Sequence, residues 1–432
     1  MPSEAVFLGL DIGTSGVRGC AINTQGEELA AYRVELPPAE HNGGRIEQDA
    51  FIWKQAADKV IRHLSKQLHP RPISALAIDG TSGTVLLCDE AGTPLSPALM
   101  YNDQSCTDEA AQIAKIAPAD CAAHGASSSL AKALFLFKQH PEASHICHQA
   151  DWMAATLTGN YGISDENNCL KLGYNSLEVS WPKWLNQLDL TMDLFPDVYP
   201  PGNVIGHILT DIAQQLGLPE SCQIIAGTTD SIAAFIATGA SKIGDAVTSL
   251  GSTLVLKIIT NQPVFAPEFG IYSHRHGEHW LAGGASNSGG SVLKKYFSQP
   301  QLDAMTAQLK PEQATGLSYY PLPTTGERFP RNNTRLQPQL EPRPDDDVVF
   351  FQAILEGIAN IEAEGYQQLA RLGAPKPQRV FTAGGGSRNP AWRQIREHTL
   401  NTAVIVAEHT EASYGSALLA RQGYLTSKEP HQ

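Results

Sequence analysis

Residues 11–16 read Asp-Ile-Gly-Thr-Ser-Gly and follow an apolar run over residues 5–10 that predicts a strand. Glycine lets a turn bring backbone N–H groups close to an anion, so Gly13 and Thr14 are candidates to contact phosphate oxygens. Asp11 supplies a carboxylate, and proteins hold Mg²⁺ through one or two carboxylates together with phosphate oxygens and water. An ordinary hairpin turn accounts for these residue types equally well, so this turn alone does not establish a phosphate site.

A second turn repeats the combination of glycine and hydroxyl side chains. Gly251, Ser252 and Thr253 lie between apolar runs at residues 245–250 and 254–259, which predict a second pair of strands. Two matched turns between similar strands indicate an internal duplication, and together they could enclose a polyphosphate. The pair therefore favours a phosphate-binding function over two unrelated hairpins.

Three consecutive glycines separate a predicted strand at residues 380–382 from a predicted helix that begins at Pro390. They are Gly384, Gly385 and Gly386. Glycines at this point allow a nucleobase or ribose to lie against the backbone. Asn389 is predicted to cap the helix, with Pro390 at its first position. Trp392 lies one turn into the helix, where it either packs on the purine or belongs to the domain core.

Asp230 follows Gly-Thr-Thr at the start of a predicted helix over residues 231–238. A carboxylate in this position can simply cap the helix. It can also act as a general base that accepts the proton of a substrate hydroxyl during phosphoryl transfer, a reaction in which the protein mainly positions groups and neutralises charge. The residue type and its position leave both roles open.

Strand and helix patterns mix along the whole chain, which predicts an α/β protein with hairpins as well as crossover connections. A helical apolar spacing follows Asp49, its predicted N-cap, and a long amphipathic helix is predicted over residues 349–372. Residues 321–344 are rich in Pro, Arg and Asn and predict a long surface loop. A length of 432 residues exceeds one ordinary core and predicts two domains.

Composition and charge exclude several classes of function. Hydrophobic residues make up 42% and charged residues 17% of the chain, which is typical of a globular protein. The formal net charge is −13 and no long basic run occurs, which disfavours nucleic acid as a partner. No apolar stretch approaches the roughly 20 residues of a membrane span, and no signal peptide is visible. The seven cysteines form no C-x-x-C pair, which favours reduced thiols and a cytoplasmic location.

Four short motifs occur in order along nearly the whole chain: D-x-G-T from Asp11, G-T-T-D ending at Asp230, L-G-S-T from Leu250 and A-G-G-G-S-x-N from Ala383. This order resembles the FGGY carbohydrate kinases, a family of the actin-like ATPase superfamily. Within the family, the short chain and the segment Asp-Gly-Thr-Ser-Gly-Thr at residues 79–84 look like the D-ribulose kinase branch, which is also described as xylulose-kinase-like.

The resemblance implies a two-domain α/β fold of the actin-like ATPase (ribonuclease H-like) type with an internal duplication. An N-terminal sugar-binding domain would comprise residues 1–237 together with 411–432. A C-terminal nucleotide-binding domain would comprise residues 238–410, with ATP and sugar meeting between the two.

The resemblance also implies roles for individual residues. Asp230 matches the catalytic base, and Asp11 matches the aspartate that helps to place Mg²⁺ and substrate. The other expected sugar-binding residues are Ser15, Gly16, Arg18 and Ser82. The expected nucleotide-binding residues are Gly13, Thr14, Gly251, Ser252, Thr253, Gly384, Gly385, Gly386, Asn389 and Trp392.

The implied activity is transfer of the ATP γ-phosphoryl group to a ketopentose hydroxyl, with D-ribulose as the acceptor and Mg²⁺ as a second cofactor. A D-xylulose or polyol kinase of the same family is an alternative, and so is a non-catalytic actin-like protein that binds sugar or nucleotide. Asp230 distinguishes a kinase from a non-catalytic member of the superfamily, because the chaperone and filament members lack a base at a sugar hydroxyl. The expected partners are a small sugar and ATP or ADP, and the chain could be a monomer or a homodimer.

Two departures from the family pattern lie on the sugar side. Gln104 follows the Tyr-Asn-Asp segment where larger xylulose kinases typically have an arginine. Phe135 stands where a tryptophan is usual. Both bear on the identity of the sugar and leave the expectation of phosphoryl transfer unchanged.

Overall fold

The structure is a computed structural model that describes residues 5–428. Its strands, in chain order, are β1 (Val6–Gly13), β2 (Gly16–Ile22), β3 (Glu28–Glu35), β4 (Glu40–Asn42), β5 (Arg45–Gln48), β6 (Ile73–Gly80), β7 (Val85–Cys88), β8 (Ala98–Leu99), β9 (His145–His148), β10 (Ile163–Asp165), β11 (Asp197–Tyr199), β12 (Val204–His207), β13 (Gln223–Thr229), β14 (Asp245–Leu250), β15 (Leu254–Thr260), β16 (His274–His276), β17 (His279–Ser286), β18 (Arg379–Ala383) and β19 (Val404–Val406).

The α-helices are, in the same order, α1 (Ala50–Leu68), α2 (Thr107–Ile113), α3 (Ser129–Gln139), α4 (Gln149–Thr158), α5 (Glu166–Cys169), α6 (Thr210–Leu216), α7 (Asp230–Ala237), α8 (Gly290–Tyr296), α9 (Gln299–Thr306), α10 (Asp347–Arg371), α11 (Pro390–Leu400) and α12 (Ala412–Thr426). Among the described residues, no helix combines the length and the apolar character that a bilayer crossing requires.

The chain forms two compact units. The first unit contains the chain up to Ala237 together with the residues from Glu411 onward, and the second unit is Thr238–Thr410. The first unit has a six-stranded sheet in the order β12-β13-β6-β1-β2-β3, and the second unit has a six-stranded sheet in the order β16-β17-β15-β14-β18-β19. The C-terminal helix α12 belongs to the first unit and packs on its sheet.

Five neighbouring strands of each sheet match in order and direction. In the first unit the order is β3-β2-β1-β6-β13, with antiparallel pairing as far as β1 and parallel pairing beyond it. In the second unit the order is β17-β15-β14-β18-β19, with the same change from antiparallel to parallel at β14. The predicted α/β actin-like ATPase fold with internal duplication is therefore confirmed.

Helix α1 shows how local sequence signals produce the first unit. Asp49 caps the helix, as predicted, because its Oδ1 accepts a hydrogen bond from the Phe51 amide at 2.9 Å. The apolar stripe of the helix is buried against the sheet, and its largest member, Trp53, donates its indole N–H to Gln48 at 2.7 Å. The first unit also carries a five-stranded sheet in the order β4-β5-β8-β7-β9, in which β4 and β5 come before α1 in the chain and the other three strands come after β6.

The core of the second unit contains an ion pair as well as apolar side chains. Arg396 of α11 and Glu362 of α10 form two charged hydrogen bonds at 2.6 and 2.7 Å, and each side chain is 1% exposed. Thr248 of β14 donates to Glu362 at 2.5 Å, and Arg396 donates to Thr382 of β18 at 2.7 Å. This network connects two helices to two neighbouring strands of the sheet, β14 and β18.

The surface loop predicted over residues 321–344 is confirmed in its second part, where most residues from 331 to 344 are exposed, but most residues from 321 to 330 are buried. Phe329 is fully buried and Glu327 is 2% exposed. A bridge between Tyr320 and Gln339 and another between Glu327 and Asn333 close the segment on itself. Phe329 belongs to the apolar core of the second unit and Glu327 is buried two residues before it, so the first part of the loop forms part of the interior of the unit.

Replacing Arg396 by methionine should cost about 3–5 kcal/mol of unfolding free energy, because it leaves the Glu362 carboxylate buried without its cation. Urea unfolding followed by circular dichroism measures this loss. The control is Lys54→Met, which removes a partly exposed pair with Asp58 and should cost about 1 kcal/mol or less. Equal small losses for the two variants would contradict the role assigned to the buried pair.

Candidate functional site

Three aspartates lie at one edge of the first unit's sheet. Asp11 on β1 is the register partner of Asp79 on β6, and β13, which pairs with β6, ends one residue before Asp230. Because β1, β6 and β13 are parallel, their carboxyl ends meet at the same edge, where ligands bind in open α/β sheets. Asp230 is the first residue of α7.

Asp11 was predicted at the end of its strand, and the structure places it inside β1, two residues before the strand ends. Strand β1 continues to Gly13 because β2 pairs with it on one side and β6 on the other. Gly13 and Gly16 are the last register partners of the hairpin, so Thr14 and Ser15 form its two-residue turn. Asp11 is therefore fixed by two ladders of backbone hydrogen bonds.

The charge of Asp11 is opposed by burial and supported by an arginine. The residue is 5% exposed, and burial raises the pKa of its carboxyl. Arg18, its register partner on β2, donates to Asp11 Oδ2 at 2.7 Å and acts in the opposite direction on that pKa. Arg18 was predicted to contact the sugar, and the structure places it on this carboxylate.

Asp79 belongs to this site, although no catalytic or binding role was predicted for it from the sequence. It is fully buried, and Ser416 of α12 donates to its Oδ2 at 2.6 Å. Burial, followed by the negative charges of Asp11 and Asp230, raises the pKa of Asp79 well above its ordinary value. Asp79 consequently holds a proton under conditions in which an exposed aspartate is ionised.

Two lysines reach the turn that follows β6, and they are bonded differently. Lys132 is fully buried, and its ammonium donates to the carbonyl oxygens of Gly83 and Met100 at 2.8 and 2.7 Å. Burial lowers the pKa of Lys132 to about 7. Lys171 makes one longer hydrogen bond, 3.4 Å to the Ser82 carbonyl oxygen. Burial also lowers the pKa of Lys171, and the negative charge of Asp230 opposes that shift.

This difference assigns the two lysines different tasks. Lys132 holds the backbone of the turn, while Lys171 places a positive charge within reach of Asp230 and of the predicted sugar contact Ser82. Lys171 was not among the sugar-binding residues predicted from the sequence. Burial of an ammonium group is the signal that identifies the residue, and it is visible only in the folded structure.

The second unit contains a cavity of about 660 Å³, a size typical of small-molecule sites. Six of the predicted nucleotide-binding residues line it: Gly251, Ser252, Gly385, Gly386, Asn389 and Trp392. Thr253 and Gly384 are not among the lining residues, and Gly13 and Thr14 belong to the first unit. The second turn and the glycine run thus meet at one cavity.

A side chain at residues 384, 385 and 386 would meet three different surroundings. Gly384 has a φ of +81°, and a Cβ there would lie 2.7 Å from the Leu250 carbonyl oxygen, so this residue is needed for packing. A Cβ on Gly386 would meet the Trp392 ring at 2.5 Å. Around Gly385 a Cβ would have no neighbour within 4 Å, and the residue opens onto the cavity.

The start of α11 agrees with the predicted helix cap. Asn389 Oδ1 accepts a hydrogen bond from the Trp392 amide at 3.0 Å, and Pro390 is the first helical residue. Trp392 is 3% exposed and donates its indole N–H to the Leu355 carbonyl oxygen at 3.1 Å. Of the two readings left open for Trp392, the structure supports membership of the core, with part of its ring forming a wall of the cavity.

Several polar residues of this cavity were missed from the sequence. Lys294 and Arg388 supply positive charge at its wall, and Gln299 donates to Asp303 at 2.8 Å on another side. These residues come from α8, α9 and the short turn before α11. No local motif joins them, so their common location depends on how the helices pack.

The donor set in the first unit fits magnesium better than zinc. The edge of the sheet supplies carboxylate oxygens, which Mg²⁺ prefers and completes with water and phosphate oxygens. Within residues 5–428 there is no group of three or more His, Cys, Asp or Glu side chains arranged to hold a metal ion alone. A metal ion at Asp11 would therefore need further ligands from a bound phosphate or water.

Two family models match the chain. The model described as the FGGY family of carbohydrate kinases, N-terminal domain, matches residues 6–237, and the model of the C-terminal domain matches residues 246–422. The second match extends into α12, which belongs to the first unit of the structure.

Comparison with known proteins agrees with these matches. The chain is 27% identical over 422 residues to the xylulose kinase of Escherichia coli (strain K12), covering 90% of this chain and 84% of that protein. A solved structure described as a "xyloylose kinase" from Brucella ovis is similar with a TM-score of 0.87 and 25% identity, covering 98% of this chain and 91% of the other. Plasmodium falciparum glycerol kinase with ADP has a TM-score of 0.84 at 17% identity, covering 99% and 91%, and shows the same fold.

The raised pKa of Asp79 makes a prediction about stability and pH. A carboxyl that keeps its proton in the folded state adds stability below its unfolded pKa, and that stability is lost as the pH rises toward the folded pKa. Asp79→Asn mimics the protonated form and has no such loss. The stability of Asp79→Asn relative to the wild type should therefore increase from pH 5 to pH 8.

Urea unfolding at several pH values, in chelator and without added Mg²⁺, measures this difference. The control is Asp189→Asn at an exposed position, which should follow the pH dependence of the wild type. A stability difference between Asp79→Asn and the wild type that stays constant over this range would show that Asp79 is ionised throughout.

Proposed function

Because the chain belongs to the FGGY family of carbohydrate kinases, it is a sugar phosphotransferase, and we propose that it transfers the γ-phosphoryl group of ATP to D-ribulose. The products are then D-ribulose 5-phosphate and ADP. The observation that carries the proposal is the position of Asp230, which begins α7 at the sheet edge where the buried Asp11 and Asp79 also lie, with the ammonium group of Lys171 close enough to interact with its charge.

In the proposed reaction, a hydroxyl oxygen of the sugar attacks the γ-phosphorus and the bond to the β–γ bridging oxygen breaks. The proton of the hydroxyl goes to the Asp230 carboxylate, and ADP leaves with the electron pair of the broken bond. Asp230 must be ionised to accept the proton. The positive charge of Lys171 favours that state, since opposite charges stabilise each other in a partly buried site.

The first unit supplies the sugar side of the proposal. We assign residues 1–237 and 411–432 to sugar binding, with contacts from Ser15, Gly16, Ser82 and Lys171. Gly16 is buried, and a Cβ there would lie 2.8 Å from the Val34 carbonyl oxygen, so its contribution is to shape the turn. Arg18 acts through Asp11, whose carboxylate it holds in place at 2.7 Å.

The second unit supplies the nucleotide side. We assign residues 238–410 to ATP binding, with the triphosphate at the turn of Gly251, Ser252 and Thr253 and the nucleoside in the cavity beyond it. Lys294 and Arg388 at the cavity wall can neutralise phosphate charge. Mg²⁺, held through Asp11 with phosphate oxygens, would neutralise charge on the transferred group.

D-Xylulose is the second candidate for the sugar. The curated relative from Escherichia coli is a xylulose kinase, and its similarity covers 90% of this chain. D-Ribulose takes precedence because the segment at residues 79–84 resembles the ribulose kinase branch and because Gln104 stands where larger xylulose kinases typically have an arginine. A polyol is the third candidate, in keeping with the glycerol kinase of the same fold.

A coupled assay for ADP release, run with D-ribulose, D-xylulose, a ketohexose and glycerol, tests the proposal. D-Ribulose should give the highest kcat/KM, and Asp230→Asn should lower kcat by about a hundredfold to ten-thousandfold because the general base is lost. Asp189→Asn, a removed exposed carboxylate, should leave kcat unchanged. ADP release that no sugar stimulates would refute the kinase proposal, and turnover that survives Asp230→Asn would refute the role of Asp230.

A further inference from the structure

Glu327 is a buried carboxylate that the proposed reaction does not use. It lies in the segment over residues 321–344 and is 2% exposed. Its oxygens accept hydrogen bonds from the Ser286 hydroxyl at 2.5 Å, the Asn287 amide at 2.8 Å, the Arg328 amide at 2.9 Å and the Tyr320 hydroxyl at 3.2 Å. A buried carboxylate is costly unless such donors surround it, so this arrangement is specific.

Two of these donors are Ser286, the last residue of β17, and Asn287, the first residue of the short link to α8. Ser286 and Asn287 are bonded to Glu327, and the Ser288 amide donates to the Ser286 hydroxyl oxygen at 3.0 Å. The Asn287 side chain donates to the Gly326 carbonyl oxygen at 2.9 Å, and the Ser288 hydroxyl donates to the Pro321 carbonyl oxygen at 2.5 Å. Ser286, Asn287 and Ser288 are thus each hydrogen-bonded to the segment that carries Glu327.

The same link and the start of α8 hold the glycine turn at residues 251–253. The Gly290 amide donates to the Gly251 carbonyl oxygen at 2.9 Å. Ser291 donates to the Ser252 carbonyl oxygen through its amide at 3.2 Å and through its hydroxyl at 2.7 Å. At Gly289 a Cβ would lie 2.7 Å from that same oxygen, so the contact allows little movement.

We propose that Glu327 is a positioning residue for nucleotide binding, which fixes the turn of Gly251, Ser252 and Thr253 by way of Ser286, Asn287 and the start of α8. The inference rests on the proposed function, because it requires this turn to bind the phosphates of ATP. Donors that are fixed before the ligand arrives need no reorganisation when charge binds. A displacement of about 1 Å in a positioned group can cost up to about a hundredfold in rate.

The test is the affinity for MgADP, measured by isothermal titration calorimetry on Glu327→Ala, Glu327→Gln and the wild type. Glu327→Ala should weaken MgADP binding about tenfold or more, because the link loses its acceptor and the turn is no longer held. Glu327→Gln should stay within about threefold of the wild type. Its amide oxygen can accept from the two backbone amides, and its NH₂ group can donate to the two hydroxyl oxygens.

A matched control separates positioning from loss of stability. Asp245 is 1% exposed and accepts four hydrogen bonds, from Arg379 at 2.9 and 2.7 Å and from the amides of Ser241 and Lys242 at 3.0 Å. It lies at the opposite end of β14 from the glycine turn. Asp245→Ala should lower the unfolding free energy as Glu327→Ala does and should leave the MgADP affinity unchanged.

Should Glu327→Ala not fold, Ser286→Ala removes one hydrogen bond of the link and should still weaken MgADP binding relative to the wild type. Unchanged MgADP affinity in folded Glu327→Ala or Ser286→Ala, or an equal loss in Asp245→Ala, would overturn the inference. A wild-type protein that binds no MgADP would overturn it as well. If the MgADP affinity depends on Glu327 as expected but the wild type turns over no sugar, only the proposed function is contradicted.

Discussion

The first unit is organised around two carboxyl groups that its sheet forces together. Asp11 and Asp79 are register partners on parallel strands, and both are buried, so two negative charges there would be strongly unfavourable. One proton on Asp79, the guanidinium of Arg18 and the hydroxyl of Ser416 resolve the conflict. The hydroxyl requires α12 to lie close to the sheet, and Gly9 makes this possible, since a Cβ there would lie 2.0 Å from the Ser413 carbonyl oxygen. The last helix of the chain therefore belongs to the first unit because of a requirement set near the N-terminus.

The second unit repeats the sheet but carries different chemistry at the equivalent edge. Near the corresponding turn the register partners on β14 and β18 are Ser249 and Ala383, so no charges are forced together. Glycine and hydroxyl groups are there instead, and the nearby carboxylate of Glu327 acts on the backbone that supports them. In this account the duplicated fold separates the two halves of a phosphoryl transfer. As proposed, carboxylates of one copy accept a proton and hold a metal ion, and a fixed turn of the other copy binds phosphate.

Signals that act within a few residues could be predicted from the sequence. The caps at Asp49 and Asn389, the strands of both hairpins and the duplication all follow from such signals, and the structure confirms them. Features that depend on distant strands could not be predicted in this way. The pairing of Asp11 with Asp79 depends on the register of β1 and β6, which the sequence does not reveal. The burial of Glu327 could not be predicted because the composition of its segment is typical of a surface loop.

Transfer of a phosphoryl group to a ketopentose can be observed directly by ³¹P nuclear magnetic resonance of a reaction with ATP, Mg²⁺ and D-ribulose. We expect a new phosphomonoester resonance that couples to the protons of one sugar carbon and grows as the γ-phosphate resonance of ATP declines. Inorganic phosphate as the sole new phosphorus species besides ADP would refute the proposed kinase activity, because it would show that water and not the sugar receives the group.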